Sequence, residues 1–186
     1  MSRGEDPEDA SRPGGDAATG PGVAWRAMTR GDLAEVAAIA REIHEAHPER
    51  DAVYAERLGL FARGCLVLER DGRAQGYAIA HPWLRAAPPA LDSLLGALPA
   101  RPDCFYLHDI ALRPAARGAG ASGAALALFA RIAHAEGLPR IALVAIPGTE
   151  GFWRRQGFTP VARPDLAAKL ASYGAGSQVM ERELGP

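Results

Sequence analysis

Cysteine is scarce in this chain of 186 residues: Cys65 and Cys104 are the only two. Each has apolar neighbours, so both read as small core residues rather than as a disulfide or a nucleophile. An excess of charge is also missing. Lys and Arg total 21 against 22 Asp and Glu, a formal net charge of −1, which leaves no basic footprint for nucleic acid or an anionic membrane surface. No uninterrupted apolar run approaches the roughly 18 residues of a membrane span, and residues 1–22 lack the apolar centre of a signal peptide. A cytoplasmic protein with neither nucleic acid nor membrane as partner is expected. His44 and His47 lie three apart with no third ligand in spacing, so no metal is expected. Asp51, Glu56, Asp92 and Asp103 are scattered and read as surface carboxylates. No internal repeat is visible.

What is present suffices for one domain, since 48% of the residues are apolar. Residues 1–22 are rich in Gly, Pro, Ser, Asp and Glu, cannot offset their ordering entropy by burial, and are expected as a disordered tail. The folded domain is expected over residues 23–186. A first strand is predicted over residues 23–28, then a helix from a Thr29 or Asp32 cap to about His44, with Leu33, Val36, Ala37, Ala40 and Ile43 as its apolar stripe. After Pro48 a shorter helix covers residues 52–61 and closes at Gly64. Residues 65–69 and 74–80 then read as antiparallel strands, joined by Arg70-Asp71-Gly72-Arg73 with its Asp-Gly hairpin signal. Residues 81–103, punctuated by prolines and carrying Trp83, Leu91, Leu94, Leu95 and Leu98, read as a long excursion and a candidate wall for a second substrate.

The chain is organised around residues 104–136. Cys104 to Leu112 is an aromatic and apolar strand that stops at Arg113-Pro114. From Ser122 onward Ala124, Ala125, Leu128, Phe129 and Ile132 recur at helical spacing, and Gly137 followed by Pro139 ends the helix. Between them Arg117-Gly118-Ala119-Gly120-Ala121-Ser122-Gly123 has almost no side chains. Its backbone N–H groups at a helix N-terminus suit an anion, a pyrophosphate above all. Residues 140–146 give the next strand, completing a right-handed strand-helix-strand unit. Residues 149–156 form a short helix bearing Phe152 and Trp153, residues 158–161 resume as strand, and residues 178–183 are the last strand.

These elements, with Leu112-Arg113-Pro114 leading into residues 117–123 and then Gly151-Phe152-Trp153-Arg154-Arg155-Gln156-Gly157-Phe158, resemble the GNAT superfamily of N-acetyltransferases. The resemblance covers residue 23 to the C-terminus. The family signature, Gln or Arg, two residues, Gly, one residue, then Gly or Ala, falls on Arg117, Gly120 and Ser122, the serine being a small departure. The resemblance implies an α/β (α+β) fold with a mixed, mostly antiparallel twisted sheet, helices on its faces and a central β-α-β acyl-CoA-binding unit. It implies acetyl-CoA as donor, a small-molecule or peptide amine as acceptor, and homodimers are common in the family. The pyrophosphate would lie on Arg117, Gly118, Ala119, Gly120, Ser122 and Gly123. Pantetheine would pair with the backbone of Ile110 and Leu112 where the family parts its central strands.

Direct amine attack requires a base for an ammonium near pKa 10 and a way for the CoA thiolate to leave. Strict alternation puts Tyr106, His108, Ile110 and Leu112 on one face and Phe105, Leu107, Asp109 and Ala111 on the other. His108 is then the candidate base, and Asp109 on the opposite face reads as structural. The family tyrosine that protonates the thiolate aligns with Trp153, and indole cannot serve as an acid. Either Tyr106 or Tyr173 substitutes, or the thiolate leaves without a dedicated acid. The family's frequent asparagine after the next strand is replaced by the Ala145-Ile146-Pro147-Gly148 region.

Two other classes compete. Gly118, Gly120 and Gly123 spell GxGxxG, as in dinucleotide-binding oxidoreductases, but the motif sits past mid-chain and residues 141–146 do not end in a ribose-binding acid. A non-catalytic acyl-CoA-binding module on the same fold is the other alternative, raised by Trp153.

Overall fold

The computed structural model describes residues 17–20, 22–45, 48–118 and 120–185. Among these described residues eight strands form one sheet in the order β1-β2-β3-β4-β5-β6-β8-β7. They are β1 (Ala17–Gly20), β2 (Val23–Ala27), β3 (Cys65–Arg70), β4 (Arg73–Trp83), β5 (Cys104–Leu112), β6 (Arg140–Ala145), β7 (Thr159–Pro160) and β8 (Gln178–Glu183). The helices are α1 (Leu33–Ile43), α2 (Asp51–Leu60), α3 (Ala121–Ala135), α4 (Glu150–Arg155) and α5 (Ala167–Ala171). Every pairing among the described residues is antiparallel except β5 with β6. That single parallel pair, spanned by α3, is the expected strand-helix-strand unit. A mostly antiparallel sheet is not the doubly wound parallel sheet of dinucleotide enzymes, so the literal GxGxxG lacks the context that would give it that meaning. No described helix is long and apolar enough to cross a membrane.

The sheet is covered on both faces. One face packs Phe105, Leu107 and Leu112 of β5 with Ala125, Leu126 and Phe129 of α3. The other packs Tyr77, Ile79 and Ala111 with Val36, Ile39 and Ala40 of α1 and Tyr54 of α2. Both cysteines are free and buried, as expected, and burial pushes each thiol up to about 12. The hairpin between β3 and β4 turns on Asp71 and Gly72, whose φ angles of 51° and 74° suit a two-residue hairpin turn.

Three sequence expectations change. The edge strand β1 lies inside residues 1–22, expected as a disordered tail. It pairs Ala17 with Trp25 and Gly20 with Val23, backbone to backbone, which needs no apolar pattern; residues 1–16 and 21 lie outside the described residues. Strand β4 runs on through Pro82 to Trp83 instead of stopping near Ala80, because β3 ends at the Cys65–Ile79 pairing and the missing proline donor is tolerated on a strand with one neighbour. Third, the face assignment along β5 changes beyond Leu107. Ala80 pairs with Leu107 and Ile79 with Asp109, so His108 is an extra residue in β5, a β-bulge. Beyond it the alternation is inverted.

Gly64 approaches the sheet so closely that an added Cβ would lie 1.8 Å from the Ala80 carbonyl oxygen, whereas one on Gly59 in α2 meets nothing within 4 Å. Gly64→Ala is expected to destabilise the fold by at least about 1–3 kcal/mol, and Gly59→Ala to stabilise it by about 0.5–1 kcal/mol, in urea unfolding.

Candidate functional site

Strands β5 and β6 pair only at Phe105–Ile141 and Tyr106–Ala142 and then part. Among the described residues the β6 side of β5 therefore has no partner strand from Leu107 onward. Arg113 N–H donates to the Gln75 carbonyl on β4 at 2.9 Å. Backbone groups alternate along a strand, so those of Leu112 and Ile110 point the other way, into the gap. The Leu112 carbonyl accepts Arg117 Nε at 3.0 Å, which ties the end of β5 to the loop before α3. The gap widens into a cavity of about 170 Å³, lined on one side by Leu107, His108, Asp109 and Ile110 and on the other by Leu143, Val144 and Ile146.

The glycine loop closes the other end of this gap. Gly120, at φ +75°, is the N-cap of α3, and a side chain there would be strained. Gly118 is also left-handed, at φ +82°. The first intrahelical bond runs from Ala124 N–H to the Gly120 carbonyl, so the N–H groups of Ala121, Ser122 and Gly123 lie in the turn where a helix leaves its donors without intrahelical partners. Trp25 Nε1 donates to the buried Ala121 carbonyl at 2.8 Å and pins this helix end to β2. Ala119, expected in the loop, lies outside the described residues. Arg113, just before the loop, is held by Glu35 and Glu42 of α1. Among the described residues no group of His, Cys, Asp and Glu is arranged to hold a metal ion, and His47 lies outside them.

The bulge corrects the face of the catalytic candidates. His108 and Asp109 both turn toward α1 and α2, away from the α3 face that takes Leu107, Ile110 and Leu112. His108 does not share a face with Ile110, and Asp109 does not lie opposite His108. Each has a partner. His108 Nε2 meets Glu49 Oε2 at 3.1 Å, with both side chains 7% exposed. The other Glu49 oxygen accepts Asp92 N–H at 2.9 Å. Burial raises the Glu49 carboxyl, but His108 outweighs it and holds it below its ordinary 4.5. Asp109 accepts the Tyr77 hydroxyl and approaches His44 Nε2 at 2.9 Å, close enough for an ion pair although the N–H is not aligned as a hydrogen bond. Burial raises Asp109 and lowers His44; their mutual attraction prevails in both, leaving Asp109 below 3.8 and His44 above 6.5.

Behind His108 stands His81, 6.3 Å away between ring centroids, buried and driven down to about 3 by desolvation, so it stays neutral. Tyr106 and Tyr173 both line the cavity. Burial raises both phenols, Tyr106 well above 10 and Tyr173 to about 12, and the Tyr173 hydroxyl is already committed to the Pro89 carbonyl. Trp153 lines the same cavity and packs edge-on against Phe152 and Phe158, with centroids 4.8 and 5.4 Å apart. Glu49 escaped sequence reasoning. It belongs to no motif and meets His108 across 59 residues.

Residues 33–158, more than half of the chain, match the sequence profile of the Acetyltransferase (GNAT) family. The chain belongs to that family. No curated protein sequence matches it significantly. Among solved structures it is similar to the loading GNATL domain of CurA from Lyngbya majuscula, at TM-score 0.71, 11% identity and coverage of 87% of this chain and 98% of that one. It is similar to the GphF GNAT-like decarboxylase in complex with isobutyryl-CoA, at TM-score 0.69, 16% identity and coverage of 87% and 99%. N-acetylglutamate synthase from Neisseria gonorrhoeae, complexed with coenzyme A and N-acetyl-glutamate, aligns at TM-score 0.66 and 22% identity over 88% of this chain. This chain spans 35% of that synthase. At such identities the likeness is one of fold.

The histidine–carboxylate pairs set a pH dependence. His44, with its folded value raised, contributes stability that is complete below about 6.5 and lost as pH rises through the folded value. Glu49 and Asp109, with lowered values, contribute stability that is lost only as pH falls below their ordinary 4.5 and 3.8. In urea unfolding, the stability difference between wild type and His44→Gln is expected to be largest near pH 5.5 to 6 and to shrink steadily toward pH 9.

Proposed function

We propose that the chain is an N-acyltransferase that moves an acetyl group from acetyl-CoA to an amine by direct attack, without a covalent enzyme intermediate. The observation that carries this reading is the parting of β5 from β6 beside the bulge, which leaves strand backbone open next to a buried histidine–carboxylate pair. An extended pantetheine arm can take the place of the missing strand on Ile110 and Leu112. At one end of that track the left-handed Gly118 and Gly120, the N–H groups of Ala121 to Gly123 and the Arg117 guanidinium suit a pyrophosphate. At the other end lie His108 and the cavity.

His108 accepts a proton from the incoming ammonium, and Glu49 orients the imidazole and stabilises its cation. The free amine attacks the thioester carbonyl; the new N–C bond forms, the C–S bond breaks, and the proton left on the nitrogen passes to the released thiolate, giving the amide and CoA thiol. The thiolate departs without a dedicated acid. Neither tyrosine suits that role, since phenols raised by burial are far weaker acids than a thiol of ordinary pKa about 8.5. Tyr106 is instead a wall of the cavity, and Tyr173 holds a loop over it.

Calorimetric titration with acetyl-CoA and with NAD checks the reading. Micromolar acetyl-CoA binding is expected, lost in Gly120→Glu, with none for NAD; no acetyl-CoA binding overturns the proposal. With an acceptor in hand, His108→Gln is expected to lower kcat by roughly 10²–10⁴-fold while leaving acetyl-CoA affinity within about threefold. Binding without turnover of any amine would leave an acyl-CoA-binding module in place of an enzyme.

A further inference from the structure

Residues 84–96 cross the mouth of the cavity and are tied down on both banks. On the α2 bank Asp92 N–H donates to Glu49 at 2.9 Å, Arg50 pairs with Asp92 at 2.9 Å, Arg57 Nη2 donates to the Ser93 carbonyl at 2.9 Å, and Glu56 accepts the N–H groups of Leu95 and Gly96 at 2.8 and 2.9 Å. On the opposite bank Arg85 pairs with Glu181 of β8 at 2.7 Å, Arg163 donates to the Arg85 carbonyl at 2.8 Å, and the Tyr173 hydroxyl donates to the Pro89 carbonyl. Between the banks Ala90 and Leu91 form the cavity ceiling. This is a fixed roof, with hydrogen bonds along its whole length. A polypeptide acceptor needs an open groove for the chain that leads away from the reacting amine, and the roof stands across that exit.

The interior is equally selective. Its volume, about 170 Å³, is below the roughly 300–1,000 Å³ of clefts that hold drug-sized ligands. Glu49 and Asp109 supply two carboxylates, and among the described lining residues there is no Lys or Arg. The buried Arg57 is already held by Glu56 and the Ser93 carbonyl. Apart from the two histidines and Thr149, whose hydroxyl donates to the Ile146 carbonyl at 2.8 Å, the remaining walls are apolar or aromatic, among them Tyr54, Leu91, Val144, Ile146 and Trp153. Such a site accepts an ammonium, shelters a hydrocarbon body, and repels an acceptor that carries its own carboxylate.

We infer that the acceptor is a small monoamine with an apolar body and no carboxylate, taken into the cavity beneath residues 84–96 with its ammonium between the His108–Glu49 and His44–Asp109 pairs. This rests on the acyltransferase reading. Asp109 is then a specificity residue for the cation, distinct from the base.

The test is calorimetric titration of the full chain, saturated with free CoA, with phenethylamine, glutamate, a pentapeptide with a free N-terminus, and an N-blocked peptide carrying one lysine. Phenethylamine is expected to bind at least about tenfold more tightly than the other three. Asp109→Asn and, independently, Leu91→Arg are expected to weaken phenethylamine by at least about tenfold while CoA affinity stays within about threefold, which also reports that each variant is folded. Failure to bind CoA at all would sink the acyltransferase reading. CoA binding with no phenethylamine binding, with tighter binding of glutamate or either peptide, or with phenethylamine affinity unchanged in both variants, overturns the acceptor assignment alone.

Discussion

Everything in this molecule depends on the point where β5 loses β6. Two pairings, at Phe105 and Tyr106, hold the strands together, and past them the sheet is open along one edge of β5. Open backbone inside a fold is costly unless something pairs with it. Here the fold keeps it open by spanning the gap with α3, whose N-terminus is fixed by the Trp25 bond, and by anchoring the Leu112 carbonyl through Arg117. The result is a track with strand-like donors and acceptors along its length and a helix terminus at its end.

The bulge at His108 sets which side chains stand beside this track. One extra residue in β5 lets two consecutive side chains, His108 and Asp109, turn to the same face, where α1 and the start of α2 meet them with His44 and Glu49. Two buried carboxylates would each be expensive alone. Pairing each with an imidazole gives both carboxylates a partner inside the fold. The roof of residues 84–96 belongs to the same arrangement, because Glu49 holds both the His108 ring and the Asp92 N–H.

Much of this was legible in the sequence. The strand at residues 104–112, the glycine loop, the helix behind it and the Asp71-Gly72 hairpin are local patterns, and local patterns dictate them. The excursion after β4 could be read as a pocket wall from its prolines and length, and Ala90 and Leu91 do line the cavity. What escaped was non-local. A period-two reading has no means of sensing an inserted residue, so it set His108 beside Ile110 when the bulge turns the two apart. Glu49 looked like any surface carboxylate until the tertiary fold carried it to His108, and β1 carries no apolar alternation because its contribution is backbone pairing. Side-chain type alone also says nothing of surroundings: Tyr106 and Tyr173 carry ordinary phenols by sequence, and burial raises both.

Hydrogen exchange with and without saturating acetyl-CoA tests the central claim most directly, because the claim concerns named backbone amides. Added protection is expected at Ile110 and Leu112 on the open edge of β5 and at Ala121, Ser122 and Gly123 at the start of α3, with the β3–β4 hairpin unchanged. Acetyl-CoA binding that leaves those amides as exposed as before would contradict the account.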